Sequence, residues 1–261
     1  MIYFHFFVTF IEFFNEIDLK EENKTTGSST MSPAVEFAVN YHQWILLKFM
    51  PFIHGNILEI GTGKGYYKKS IHTSGYFVSI DNEENIIKHT KELDPDGLYY
   101  FADISDKSTL NVIKQSSFQT ILCFNVLEHI EEDEKALGNM LYLLEENGYL
   151  IIFVPAFRTL YSSKDKLAGH LRRYIKKSLK MKLKKFNNAD IIKLEYFNPI
   201  GGVGSLVNKF INHRSLNNKS IRFQTKFFDK YLVSLSKAIN PCTKNIFGQS
   251  LICVIQKKAM K

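Results

Sequence analysis

The sequence predicts an α/β fold, a seven-stranded and mostly parallel sheet with helices on both faces. Three observations carry that expectation. Short apolar runs alternate with stretches of helical periodicity from Asn56 to Val154. Several of those runs end at a glycine turn or an acidic residue, where a parallel strand delivers its side chains to a ligand. After Pro155 the rhythm changes to a basic segment, further helical stretches and one last apolar run at Ser250–Ile255.

The elements follow in order. Ala34 to Phe52 carries apolar residues at Val35, Ala38, Val39, Ile45, Leu46, Phe49 and Met50, the pattern of one or two helices that Pro51 ends. Strands are expected at Asn56–Ile60, Tyr76–Ile80, Leu98–Ala102, Gln119–Phe124 and Tyr149–Val154, the last introduced by Asn147-Gly148 and stopped by Pro155. Helices are expected between them at Glu83–Leu93, Thr109–Gln115 and Asp133–Leu144. Beyond Pro155 come a helix at Lys176–Phe186, a sixth strand at Asp190–Phe197 and the final strand. Two amphipathic helices lie between those strands. One has Val203, Leu206, Val207, Phe210 and Ile211 on a face, the other Phe228, Tyr231, Leu232, Leu235 and Ile239. Core packing is the expectation for both faces; a lid or a seat on an anionic membrane surface is the alternative.

Composition bounds the class. With 261 residues, 45% hydrophobic and 23% charged, the chain has enough apolar surface for one sizeable core. The three cysteines, Cys123, Cys242 and Cys253, form no CxxC, which excludes a disulfide framework or zinc cluster. A reducing, cytoplasmic location follows, with peripheral membrane contact as an addition. The apolar stretch Ile2–Phe14 lacks a basic flank and a cleavage site, and it is shorter than the ~20 residues that a bilayer takes. Residues 1–33 read as an extension and linker, with Met31 as a candidate natural start. Residues 34–261 read as the functional domain, in which 158–189 and 199–249 are acceptor or lid elements.

Charge is concentrated. The whole chain carries +8, yet Arg158 to Lys193 alone holds twelve basic residues against two acidic ones. A patch of this kind suits an anionic partner, set against the plainer reading of a solvated helix face.

The chemistry-bearing motif is Glu59-Ile60-Gly61-Thr62-Gly63-Lys64-Gly65, between the first strand and a helix. Glycines let a ligand approach the backbone. The G-x-G-x-G spacing differs from the G-x-G-x-x-G of dinucleotide binders, which argues against a nicotinamide enzyme. Glu59 ahead of the loop would repel a pyrophosphate and suit an ammonium or sulfonium group. Asp81, 22 residues on at the end of the second strand, is placed to accept hydrogen bonds from ribose hydroxyls. Asp103 after the third strand is placed for an adenine amine, and Asn125-Val126-Leu127-Glu128-His129 follows the fourth.

These residues together resemble the class I S-adenosylmethionine-dependent methyltransferases, which have a Rossmann-like sheet whose last strand is antiparallel, with a helical insertion before it. Asn40-Tyr41-His42-Gln43-Trp44, Gly169-His170-Leu171-Arg172-Arg173-Tyr174, Tyr196-Phe197-Asn198 and Phe247-Gly248-Gln249-Ser250-Leu251 are similar to a bacterial type 11/12-like subgroup often found beside glycosyltransferases. The resemblance spans roughly residues 34–257 and implies S-adenosylmethionine as cofactor. It implies cofactor contacts at Glu59, Gly61, Gly63, Gly65, Asp81, Asp103, Ile104 and Asn125, with Tyr41 closing over the cofactor.

For the acceptor, His129 and His170 are the candidate bases, since histidine titrates near neutral pH. Arg172, Arg173 and Tyr174 are candidates to grip an anionic small-molecule, glycan or lipid-linked acceptor. A divalent metal on Glu128, His129 and His170 is the sharper alternative. It is set aside because Asn125 stands where the first acid of a Glu-x-x-Glu-His set would be. An RNA methyltransferase would also use the basic segment, but no separate RNA-binding domain or Asn-Pro-Pro-Tyr motif accompanies it. A non-catalytic cofactor-binding protein is the third reading.

Overall fold

In the computed structural model, residues 33–113, 117–211, 216 and 219–259 are described. The expectations for Ile2–Phe14, the linker and Met31 lie outside them.

Seven strands form one sheet in the order β3-β2-β1-β4-β5-β7-β6. They are β1 (Ile57–Ile60), β2 (Phe77–Asp81), β3 (Leu98–Phe101), β4 (Phe118–Phe124), β5 (Leu144–Pro155), β6 (Ala189–Phe197) and β7 (Ser250–Lys257). Every residue of β1 and β2 is buried. Strands covered on both faces read as continuous apolar runs, which is why the sequence marks them so clearly. At the β3 edge Leu98 and Phe101 are exposed instead.

The registers Ile60↔Ile80, Ile60↔Cys123, Ile80↔Tyr100 and Cys123↔Ile152 make β3, β2, β1, β4 and β5 parallel. β7 runs the other way. Its start meets the end of β5, where the Ala156 N–H donates to the Gln249 carbonyl at 2.8 Å. Its end meets the start of β5, where Gln256 Nε2 donates to the Asn147 carbonyl at 3.1 Å. Cys123 in β4 and Cys253 in β7 are buried, and burial pushes both thiols up.

β5 begins at Leu144, five residues before the expected start, because the chain passes from helix to strand without a loop. Asn147, at φ 63°, forms an irregularity inside the strand. The order reverses between β1 and β4, since β2 lies on one side of β1 and β4 on the other. That reversal opens a crevice at the carboxyl ends of the strands.

The α-helices are α1 (Val39–Phe49), α2 (Tyr66–Ser70), α3 (Glu84–Leu93), α4 (Asp133–Leu143), α5 (Ser163–Leu167), α6 (Lys176–Leu183), α7 (Pro199–Asn208), α8 (Lys219–Phe227) and α9 (Val233–Thr243). Of the expected helical stretch Thr109–Gln115, Thr109–Ile113 is a 3-10 helix and the rest lies outside the described residues. The sequence reading has no counterpart for α8. No helix among the described residues is long and apolar enough to cross a membrane.

The chain divides into two units. The first comprises Leu46–Pro155, Tyr174–Glu195 and Leu251–Lys261, and it holds most of the sheet. The second comprises the described residues up to Ile45 and within Ala156–Arg173 and Tyr196–Ser250. The expected 158–189 element is therefore cut at Arg173. Its helix α6 belongs to the sheet unit, where Lys182 Nζ reaches Asp133 Oδ1 at 2.8 Å.

In the second unit the motif residues converge. Asn198, fully buried at φ 63°, accepts from Gly201 N–H at 2.9 Å and Ser236 Oγ at 2.7 Å, and donates to Gln249 Oε1 at 2.7 Å. Trp44 packs on Phe197 with ring centroids 4.0 Å apart, and Asn40 Nδ2 donates to Asp229 Oδ2 at 3.0 Å. The segments Asn40–Trp44, Tyr196–Asn198 and Phe247–Ser250 thus build one knot.

The two amphipathic helices are partly turned around. α7 buries Gly201, Gly202 and Ser205, while Val203, Leu206 and Phe210 are exposed. In the second, Asp229, Ser236 and Asn240 are buried while Tyr231 and Leu235 are exposed. Ile211 is buried and Val207, Phe228, Leu232 and Ile239 are half-buried, so core packing holds for only part of each expected face. Small residues win the inner position because the backbone comes too close for a side chain: a Cβ on Gly202 would lie 2.7 Å from the Phe247 ring.

Candidate active site

The glycine loop leaves β1 at the sheet's reversal. Gly61 donates its N–H to the Ile80 carbonyl of β2 at 2.8 Å, and Gly65 donates to the Thr62 carbonyl at 2.8 Å. Gly61 sits at φ 79° and Gly65 at φ 68°. A Cβ on Gly61 would lie 2.4 Å from Val126 Cγ2, so no larger residue fits there. A Cβ on Gly65 would meet nothing within 4 Å, so the loop borders open space on that side. Thr62 Oγ1 is buried without a hydrogen-bond partner, a polar atom awaiting one.

Two carboxyls flank this space. Asp81, at the carboxyl end of β2, accepts from Gly63 N–H at 3.4 Å on Oδ2 and from Glu83 N–H at 3.0 Å on Oδ1. Burial raises its pKa, against the pull of those backbone N–H groups. Glu59 is 4% exposed and accepts from Ser79 Oγ at 2.8 Å. Burial pushes its carboxyl up to about 8. Two desolvated acids beside a bare backbone loop favour a positively charged ligand, because a nearby cation offsets the desolvation.

The other expected cofactor residues occupy the same sheet unit. Asp103 follows β3, and its Oδ1 accepts from Ser105 N–H and Oγ, both at 2.7 Å. Ile104 is buried, and its carbonyl accepts from Asn139 Nδ2 at 2.8 Å. Asn125 is exposed at φ 53° immediately after β4, its N–H donated to the Phe153 carbonyl at 2.7 Å. Val126, next in the chain, is the residue that closes on Gly61. Tyr41 lies in the second unit. Its ring contacts Trp44, Phe197 and Phe228, and burial pushes its phenol up to about 12 against hydrogen bonds with Ser250 and Asn198.

The residues expected at the acceptor divide. His129 is half-buried in the 3-10 turn Leu127–His129, its N–H bonded to the Val126 carbonyl at 2.9 Å. Tyr174, also expected at the acceptor, is buried. It is 1% exposed, and its phenol donates to the Leu127 carbonyl at 3.1 Å and meets Asp133 Oδ2 at 2.8 Å. The first of these bonds ties it to the turn that carries Glu128 and His129. Arg173 is likewise a clamp: its Nε and Nη2 hold the two oxygens of Asp165 at 2.7 and 2.9 Å, and Nη1 holds the Ala156 carbonyl at 3.1 Å. Arg172 is half-buried beside it.

The sequence reading missed Asp165, which it counted only as a charge. Asp165 is 1% exposed and also holds His170 Nδ1 at 2.9 Å. Burial opposes its ionisation, but the hydrogen bonds from His170 and Arg173 outweigh burial and hold it well below the usual carboxylate range. The available signal was Ser162-x-x-Asp165, the spacing of the capping box that the structure forms at α5. A surface cavity of ≈ 660 Å³ between α3 and β3, lined by Glu84, Lys88, Lys91, Tyr99 and Phe101 among others, includes neither the glycine loop nor Asp81.

The sheet order, the glycine turn at its reversal and the acid at the tip of β2 define a nucleoside-binding α/β transferase. A family model described as a methyltransferase domain matches residues 36–209, and the chain belongs to that family, the S-adenosylmethionine-dependent methyltransferases of class I. S-adenosylmethionine is accordingly the cofactor, and the loop geometry above fits it. Solved structures share the fold. One is the N-methyltransferase NodS of Bradyrhizobium japonicum WM9 in complex with S-adenosyl-L-homocysteine, at 13% identity and TM-score 0.52, over 94% of this chain and 98% of that one. Another is a SAM-dependent methyltransferase from Archaeoglobus fulgidus, at 15% identity and TM-score 0.53, over 84% and 93%. No curated protein matches the chain.

Proposed function

We propose that this methyltransferase acts on a hydroxyl or amine of an anionic small-molecule, glycan or lipid-linked acceptor, with His170 as the general base. The observation that carries this reading is the Asp165–His170 pair. A buried, ionised carboxylate at Nδ1 holds the ring's proton on that side, so Nε2 is the proton acceptor of the neutral ring. Arg173 keeps the carboxylate charged and oriented.

When bound, S-adenosylmethionine supplies a methyl group on a positively charged sulfur, open to in-line displacement. The chain's own part is alignment and charge. Glu59, Gly61, Gly63 and Gly65 would hold the methionine moiety, Asp81 the ribose, Asp103 and Ile104 the adenine side, and Asn125 the sulfonium side. Arg172 is the basic residue of the Gly169–Tyr174 motif assigned to the acceptor's anion.

The basic segment gives little support to RNA as acceptor. Lys182 and Lys185 are paired with Glu134 and Arg173 with Asp165, so part of its charge is met internally. The test compares glycolipid, polysaccharide and RNA fractions from cells with and without the gene. A mass gain of one methylene on a glycolipid or polysaccharide, lost with His170→Ala while cofactor binding persists, is the expected result. Methylation confined to RNA, or cofactor binding with no turnover on any fraction, overturns the reading.

A further inference from the structure

The second unit carries a surface that methyl transfer does not explain. α8 runs into a wider π-helical turn at Phe228–Leu232 and then into α9. Each turn presents an adjacent basic and aromatic residue: Arg222-Phe223, Lys226-Phe227 and Lys230-Tyr231. A spacing of four drifts off one face of an ideal 3.6-residue helix; the wide turn lets the stripe continue. The three rings are 58%, 45% and 57% exposed, and they lie in file with centroids 6.2 and 5.3 Å apart. Leu235 extends the stripe, 50% exposed.

The inner side of these helices buries Ile221 and Val233 together with Ser220, Asp229, Ser236 and Asn240, so the aromatic stripe is left outward. Exposed aromatic rows of this size mark interaction sites in soluble domains. The charge selects the partner. Lys219, Arg222, Lys226, Lys230 and Lys237 are exposed along the stripe, and the stretch 219–243 holds one acid, Asp229. That acid is buried, bonded to the Tyr41 N–H at 2.9 Å. Aromatic rings beside a basic flank with no exposed acid match the interface of an anionic bilayer, where rings enter the headgroup boundary and lysines meet the phosphates.

We propose that residues 219–238 dock the enzyme on an anionic lipid bilayer. This assignment is independent of the acceptor's identity.

The test is co-sedimentation of the full chain with phosphatidylcholine vesicles, with and without phosphatidylglycerol. Association at least about tenfold stronger with the anionic vesicles, falling as salt rises, is expected. The Phe223→Ser/Phe227→Ser/Tyr231→Ser variant loses it, and so does Lys230→Glu/Lys237→Glu, while both still bind S-adenosylhomocysteine, which shows that they fold. A Phe227→Trp reporter gives a blue-shifted emission with those vesicles and none with RNA; the native Trp44 is buried and contributes a constant background. Equal binding by the triple-serine variant overturns the proposal, and so does a blue shift with RNA alone. A wild-type dimer that becomes monomeric in that variant also overturns it and assigns the face to a second copy.

Discussion

Gly61 and Gly65 share a loop and a left-handed backbone, yet their surroundings differ. A Cβ on Gly61 strikes Val126, whereas one on Gly65 meets open space. A left-handed conformation alone costs a non-glycine residue about 1–2 kcal/mol. We expect Gly65→Ala to lose no more stability than that. Gly61→Ala should lose more and also displace Val126, next to Asn125. Urea unfolding of the two variants checks the order. Glu59 makes a second prediction at this scale. Its pKa is raised to about 8 in the fold, so it keeps a proton where the unfolded chain, with an ordinary value near 4.3, has lost it. Stability of the ligand-free protein therefore falls as pH climbs from about 4.3 towards 8. A cationic ligand favours the carboxylate, so cofactor affinity should rise with pH up to about 8 and then level, by at most about tenfold per unit. Glu59→Gln should flatten that profile in calorimetry. The acids and glycines were legible in the sequence because strand ends and glycine turns announce themselves. The internal partners of Arg173 and Tyr174 were not legible, because sequence reveals a side chain's chemistry but not what it faces.

At the scale of elements, the Ser162–Tyr174 stretch is fixed from within. Arg173 and His170 both close on Asp165, and the Arg173 side chain is 8% exposed. Breaking such a buried pair leaves a charge without its partner, at about 3–5 kcal/mol. Asp165→Asn should destabilise by roughly that amount in urea unfolding. The pair's contribution is present above the ordinary carboxylate range and fades only as pH falls through the depressed value of Asp165. In Asp165→Asn that acid-side loss should disappear. The strands were legible to within a few residues, since buried parallel strands are continuously apolar. α7 was legible as a helix but not in its orientation. Its apolar periodicity is real, yet Gly201, Gly202 and Ser205 take the inner face because Phe247 and Gln249 approach their backbone. Periodicity identifies a face and assumes that the apolar one is buried; here that assumption holds only in part. α8 escaped notice because its stretch reads as polar apart from Ile221, Phe223 and Phe227.

For the whole molecule, the sheet order follows from chain rules more than from any residue. Alternating strands and helices wind to one side of β1 and then to the other, and the reversal leaves a ligand crevice where the glycine loop emerges. The division into two units was only partly legible: the boundary at Pro155/Ala156 coincides with the change of rhythm, whereas those at Arg173/Tyr174 and Ser250/Leu251 fall inside continuous motifs. Sequence shows such motifs as single words, whereas contacts assign their halves to different units. The loop and the acid at the tip of β2 are assigned together to the cofactor. Titration calorimetry at about pH 8, above which Glu59 is ionised, tests this assignment directly with S-adenosylmethionine, S-adenosylhomocysteine and NAD against wild type and Asp81→Ala. One site per chain is expected for the first two ligands and none for NAD, with a loss of at least about tenfold, or ~1.4 kcal/mol, in the variant. Absence of heat with either adenosyl ligand, or equal affinity in Asp81→Ala, would contradict the assignment.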